Sequence, residues 1–179
     1  MSPRNGQSIL SALRRAYMME FETVANYLAC SIALDGIHAE PIKKALSADI
    51  AGELGHATQL GNRIKQLGGS PPGSLDLAFG QRALQVPSDT TDILAVIRGV
   101  IVAEEDAIAH YNRLIRMCDG TDYVTQDLCI TLLADEESHL IEFQGFLKDL
   151  GGLVRESGRA RSSPRGGARK TARAGRRRR

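Results

Sequence analysis

Apolar residues recur at alternating steps of three and four along four stretches of the chain, and each stretch is closed by Gly, Pro or a cap-forming side chain. This spacing predicts four helices. The first covers Ser8 to Leu34 and stops at Asp35-Gly36, and the second opens near Pro41, whose fixed φ suits a first helical turn, and stops at Gly68-Gly69. The third runs from Thr90, behind the cap candidates Ser88 and Asp89, to Cys118, and the fourth from Asp122 to Leu150, ahead of Gly151-Gly152. Such lengths are ordinary for a helical bundle. Short links make helices one and two, and helices three and four, antiparallel hairpins. The segment from Gly69 to Ser88 is longer. Fully extended it can reach about 66 Å, against about 42 Å for a helix of about 28 residues, so it can run the length of a bundle and let helices two and three lie parallel.

The inward seams of these helices carry acid at mid-height. Helix one places Leu13, Tyr17, Glu20, Val24 and Tyr27 on its seam, and helix three places Ile97, Ile101, Glu104, Ile108 and Tyr111 on its own. Helix two contributes Asp49, Glu53 and His56, and helix four Leu132, Glu136 and His139. A carboxylate on an apolar seam has lost its water, which costs several kcal/mol unless a partner replaces it. Four glutamates and two histidines in one layer cannot neutralise one another, whereas two divalent cations would. Spacing of i, i+3 puts Glu53 with His56, and Glu136 with His139, one turn apart on one face. Mixed oxygen and imidazole donors suit iron or manganese. The constellation also repeats: Glu20, Tyr27, Glu53 and His56 recur as Glu104, Tyr111, Glu136 and His139, at offsets of 84, 84, 83 and 83 residues. A pseudo-two-fold dinuclear centre is the expected product of that repeat.

Neighbouring groups sort by helical phase. Glu22, Glu105 and Glu137 lie one or two residues from a seam acid and are expected on solvated faces. Asp49 and Asp135, on or beside the seams, are candidates to hold the histidines or to form surface ion pairs. Tyr27 and Tyr111 are placed to hydrogen-bond the seam carboxylates or to pack as aromatics, and His38 and His110 are read as surface residues.

Composition narrows the class. The chain has 179 residues, 42% hydrophobic and only 4% aromatic, a balance of small and aliphatic side chains that favours helices. Its longest apolar stretch, Ile93 to Ala103, is interrupted by Arg98 and falls well short of the roughly 20 residues that cross a bilayer. No membrane helix is expected, and Met1 to Leu10 has no apolar run of the secretory kind, so a cytoplasmic location is expected. Cys30, Cys118 and Cys129 are odd in number and widely spaced, and are read as buried packing residues. Charge is divided sharply. Residues 155–179 hold eleven basic side chains against one acid, a net +10, while residues 1–154 carry −8. The expected organisation is an all-α bundle over residues 1–154 and a disordered tail over 155–179, whose Gly, Ser, Arg and Pro offer almost nothing to bury.

These residues resemble the ferritin-like di-iron superfamily, most closely bacterioferritin and related bacterial ferritin-like domains. The resemblance rests on Glu20 to Tyr27, Glu53-Leu54-Gly55-His56-Ala57 with Arg63-Ile64 and Leu67-Gly68-Gly69, Glu104 to Tyr111, and Asp135-Glu136-Glu137-Ser138-His139, and covers about residues 8–150. It implies a ferritin-like bundle in which Glu20 and His56 serve one metal, Glu104 and His139 the other, and Glu53 and Glu136 bridge both. The implied activity is ferroxidation, in which two Fe ions per chain are oxidised by oxygen or peroxide for storage or detoxification, in a homo-oligomer. A di-manganese catalase, a di-iron oxygenase and a DNA-associated protein resembling the DNA-protecting mini-ferritins are the alternatives. Two departures matter. Bacterioferritins that bind haem carry Met after the glutamate of the first Glu-x-x-His, where this chain has Leu54, so haem is not expected. The tail also stands where bacterioferritins have a short fifth helix, which leaves a dimer, 12-mer or 24-mer open.

Eleven cationic groups in residues 155–179 suit nonspecific contact with nucleic-acid phosphates, against the simpler role of a solubilising terminus. If they bind duplex DNA, truncation after Val154 should abolish binding at moderate salt and leave iron oxidation intact, because a body of charge −8 is repelled by DNA. Equal binding by both forms would rule this role out.

Overall fold

The computed structural model describes the backbone of residues 3–162 and the side chains of residues 6–152. Four helices build it: α1 (Pro3–Ala33), α2 (Glu40–Gln66), α3 (Ile93–Cys118) and α4 (Tyr123–Ser162). Pro41 sits in the first turn of α2. Gly36, Gly68 and Gly120 take φ of +100°, +82° and +64°, the left-handed conformation that ends a helix, so three of the expected stops fall where the sequence placed them.

Other boundaries differ from expectation. The α3 cap is Asp92, whose Oδ1 accepts from the Ala95 N–H at 3.0 Å, while Asp89 instead closes a turn onto Thr91. Helix α1 starts at Pro3, earlier than Ser8. Helix α4 passes through Gly151-Gly152 and ends at Ser162, so residues 155–162 of the basic segment are helical. Neither glycine takes positive φ there. A glycine costs a helix about 1 kcal/mol but ends it only when it adopts the left-handed turn. The expected disorder of residues 163–179 lies outside the described residues.

α1 packs against α2, and α3 against α4, as the two hairpins. The crossover joins them along the face of α1. A Cβ on Gly69 would meet Leu10, the Arg15 guanidinium donates to the Ala78 carbonyl at 3.2 Å, and Asn26 donates to the Gln81 side chain at 2.9 Å. At the far end Asp35 N–H donates to the Thr90 carbonyl at 2.9 Å. These contacts run from Leu10 near the start of α1 to Asp35 just past its end, so the crossover spans the bundle and α2 and α3 lie parallel. Glu22 anchors its middle. The carboxylate accepts from the backbone N–H groups of Gly80 and Gln81 at 2.6 to 2.8 Å and is buried. That corrects the expectation of a solvated Glu22: helical phase turned it off the seam, but the crossover covers the face it occupies.

Opposite the crossover, Arg63 of α2 donates to Asp122 at 2.7 Å and to Thr125 at 2.7 Å, while Thr125 donates to Asp122 at 2.6 Å. This network ties the end of α2 to the start of α4. The apolar interior divides into two clusters. One gathers Leu34, Ile42, Leu46, Leu84, Val96, Val100 and Phe143, and the other Ile9, Leu13, Leu60, Ile64, Leu114, Cys118, Cys129 and Leu132. Cys30, Cys118 and Cys129 are free and buried, and burial pushes their thiols up to about 11, 11 and 12, so they remain uncharged. Among the described residues no helix is long and apolar enough to cross a membrane.

Gly99 is where α3 admits the crossover. A Cβ there would stand 2.6 Å from the Ala83 carbonyl oxygen and 2.9 Å from the Leu84 Cα, both backbone atoms that cannot swing aside. Gly99→Ala should therefore lower stability by about 1–3 kcal/mol. Gly145→Ala, with nothing within 4 Å of its Cβ position, should raise it by about 0.5–1 kcal/mol. Chemical denaturation of both variants checks the pair.

Candidate metal centre

Between the two apolar clusters lies a polar layer to which every helix contributes. Glu20 comes from α1, Glu53 and His56 from α2, Glu104 from α3, and Glu136 and His139 from α4. All four glutamates and His56 are buried, and the His139 side chain is 17% exposed. The structure brings all six sequence-expected residues together. They form two interlocking sets, Glu20 with Glu53, His56 and Glu136, and Glu104 with Glu53, Glu136 and His139, and within each set one ligand atom per residue lies within 4.8 Å of the others. Glu53 and Glu136 belong to both.

The imidazoles turn their Nδ1 atoms inward. His56 Nδ1 stands 3.2 Å from Glu136 Oε1, 3.3 Å from Glu53 Oε2 and 3.9 Å from Glu20 Oε2. His139 Nδ1 stands 3.2 Å from Glu53 Oε1 and 3.5 Å from Glu136 Oε2. None of these approaches has hydrogen-bond alignment. Both Glu53 oxygens, Glu136 Oε1 and both Nδ1 atoms are buried without a hydrogen-bond partner. Buried polar atoms left this way cost about 1–3 kcal/mol each, more when charged, so five in one layer call for a further partner. Four carboxylates and two imidazoles aimed at two points fit a pair of divalent cations.

Two tyrosines brace the layer by crossing between helices. Tyr27 of α1 donates its hydroxyl to Glu104 of α3, and Tyr111 of α3 donates to Glu20 of α1. Each fixes one carboxylate oxygen. Burial, with the charges of Glu136 and Glu53, raises Glu20 and Glu104 well above the usual carboxyl range, against the hydrogen bonds from Tyr111 and Tyr27. Glu53 behaves oppositely: burial pushes it up, but the neighbouring His139 and His56 outweigh this and hold it at about 2. Burial lowers both imidazoles, while Glu136 and Glu53 raise them more, to about 10 for His56 and about 11 for His139. The layer therefore holds protons that a cation must displace.

Outside the layer, Asp135 Oδ2 faces His56 Nε2 at 3.3 Å. Asp49 is partly buried, with Oδ2 unpartnered, and hydrogen-bonds neither histidine. Glu105, Glu137 and His38 are exposed, as expected. His110 is not the surface residue expected: it is half-buried and its Nε2 meets the Ala12 carbonyl at 2.9 Å. Glu22 and the Arg63 network were also not visible in the sequence, since their partners are reached only across the crossover or the bundle.

A buried, repeated carboxylate and imidazole layer in a four-helix bundle with one long crossover defines a ferritin-like protein. Residues 10–153 match the Ferritin-like domain family, and the chain belongs to it. It is 28% identical over 145 residues to the DNA protection during starvation protein of Pyrococcus furiosus, covering 79% of this chain and 77% of that one. It is 24% identical over 150 residues to the bacterioferritin of Desulfovibrio desulfuricans, covering 80% and 78%. The fold is also that of the dodecameric thioferritin, a bacterioferritin-related protein, of Bacteroides fragilis, with a TM-score of 0.76 at 22% identity over 84% of this chain and 90% of that one.

Removing either phenol strands a buried carboxylate oxygen. Tyr27→Phe and Tyr111→Phe should each lower the stability of the metal-stripped protein by about 1–3 kcal/mol, by similar amounts because the two bonds are related by the repeat. Denaturant titration of the two variants checks this.

Proposed function

We propose that this protein oxidises Fe(II) to Fe(III) at a dinuclear centre contained within one chain, for iron storage or detoxification. The observation that carries this reading is the pair of interlocking donor sets that share Glu53 and Glu136. Fe(II) is the substrate: Glu20 and His56 hold one ion, Glu104 and His139 the other, and the two shared carboxylates span both. Iron supplies the redox chemistry, since two Fe(II) give up two electrons and reduce oxygen, with two protons, to hydrogen peroxide, or reduce peroxide, with two protons, to water.

The chain's own residues supply the rest. Both imidazoles release their protons on loading, and the carboxylates offset the rising charge. Tyr27 and Tyr111 fix which oxygens of Glu104 and Glu20 face the ions, so the donor geometry is prepared in advance. The apolar clusters above and below keep water from the layer. Manganese fits the same donors, and a di-manganese catalase would evolve oxygen from peroxide. We further place the protein in the cytoplasm as a homo-oligomer.

A second reading, a DNA-associated iron protein, is favoured by two observations: the likeness to the P. furiosus protein and the net +10 of residues 155–179. The two readings share the metal chemistry and differ in what the C-terminal segment contacts.

The purified protein should bind two Fe(II) per chain and oxidise them faster than buffer alone. Glu104→Ala should remove one of the two positions, and Glu105→Ala, one residue away but exposed, should leave oxidation nearly unchanged. A stoichiometry of one, or a rate equal to the blank, would refute the ferroxidase reading.

A further inference from the structure

The repeat that builds the centre is broken one residue before each Glu-x-x-His. At the offset of 83 that maps Glu53 onto Glu136 and His56 onto His139, Asp135 maps onto Gly52. Asp135 occupies this position on α4 and reaches across the bundle to His56 of α2, Oδ2 to Nε2 at 3.3 Å. The reciprocal contact, from α2 to His139 of α4, has no side chain to make it. Among the described residues no hydrogen bond reaches His139 Nε2. Besides Glu53 on its Nδ1 side, α2 brings Asp49 near enough for its charge to act on this histidine, but Asp49 stands one turn before Glu53 and no hydrogen bond joins it to the ring.

Resting on the dinuclear reading above, we infer that Asp135 is a positioning residue that makes the two metal positions unequal, the Glu20–His56 position binding its cation more tightly than the Glu104–His139 position. The chemistry is that of a carboxylate behind a metal-ligating imidazole. An acceptor on Nε2–H fixes the ring's tautomer, so that Nδ1 presents its lone pair, holds the ring plane toward the ion, and makes Nδ1 a stronger donor. His56 has all three advantages. His139 keeps the same inward Nδ1 with no such acceptor behind it, and its ring is the more exposed of the two. Cations would thus enter in order, filling the His56 position first.

The geometry also supplies the converse variant. Gly52 lies on an exposed turn of α2, and a Cβ there would meet nothing within 4 Å. Gly52→Asp restores the missing half of the repeat without displacing a neighbour.

The test is an anaerobic titration of the full-length protein with Co(II), followed by visible absorption, with no redox turnover. The expected wild-type result is two ions per chain in two resolved steps. Asp135→Asn should weaken the tighter step by about tenfold, the low end for a partner behind a ligand because Asp135 is half exposed, and so bring the two steps together. Gly52→Asp should tighten the weaker step by a similar factor, and Gly52→Ala should not. Unchanged helical circular dichroism would show that neither effect comes from unfolding. Failure to bind Co(II) would overturn the dinuclear reading and this inference with it. Two equal steps that neither Asp135→Asn nor Gly52→Asp changes would overturn this inference alone. A loss in Asp49→Asn at the weaker step equal to the Asp135→Asn loss would also overturn it, since His139 would then have a carboxylate of its own.

Discussion

Four carboxylates and two imidazoles share a dry layer halfway along this bundle, and their charges do not cancel. Everything else in the structure accommodates that imbalance. Within the layer the groups push one another in opposite directions: Glu20 and Glu104 are driven toward their protonated forms, while Glu53 is held ionised between two cationic rings. A protein core that relied only on hydrogen bonds would not retain such a set, because a half-satisfied buried network is less stable than apolar packing of the same volume. A pair of cations, held by donors from all four helices, would supply the partners that the set lacks.

The surrounding fold converts that local requirement into geometry. Donors from four helices meet at mid-height, in a bundle whose parallel α2 and α3 require a connection as long as the bundle itself. The crossover meets this condition, and it is fastened rather than loosely draped: Leu84 is inserted among Val96 and Val100, Gly99 lets its backbone approach α3, and Glu22 receives three backbone contacts from Gly80 and Gln81. The crossed Tyr27–Glu104 and Tyr111–Glu20 bonds then couple α1 to α3 at the height of the layer itself. Packing holds the helices in place, and the tyrosines choose which oxygen of each outer glutamate is presented.

The legible and illegible features separate along a physical line. Helical phase and charge alone identified Glu20, Glu53, His56, Glu104, Glu136 and His139 as one layer, because a buried acid is conspicuous on a seam of Leu and Ile. Left-handed glycines after α1, α2 and α3 were equally visible, since little else favours that conformation. Glu22 was misread for a reason the seam cannot reveal. Its neighbour is a loop 58 residues away, and the period of a helix says which side a residue faces but not what lies there. His110 was misplaced in the same way, by the packing of α3 on α1. The run of α4 through Gly151-Gly152 shows the converse: a glycine permits a helix to end but does not compel it.

The pseudo-two-fold symmetry is itself informative where it fails. A duplicated hairpin constrains only what the shared chemistry requires, and here that is the six donors and the two bracing phenols, which all repeat within one residue of a common offset. Positions beside them are free to diverge. Asp135 puts an acceptor behind the ring of His56 and Gly52 offers none toward His139, and both lie on exposed turns. Stability does not favour the glycine, since a glycine inside a helix costs about 1 kcal/mol and a Cβ at Gly52 would meet nothing within 4 Å. What remains at these positions is the balance between the two halves of the centre. In the proposed dinuclear reading, a layer built from symmetric parts would bind unequally through a single residue's change outside it.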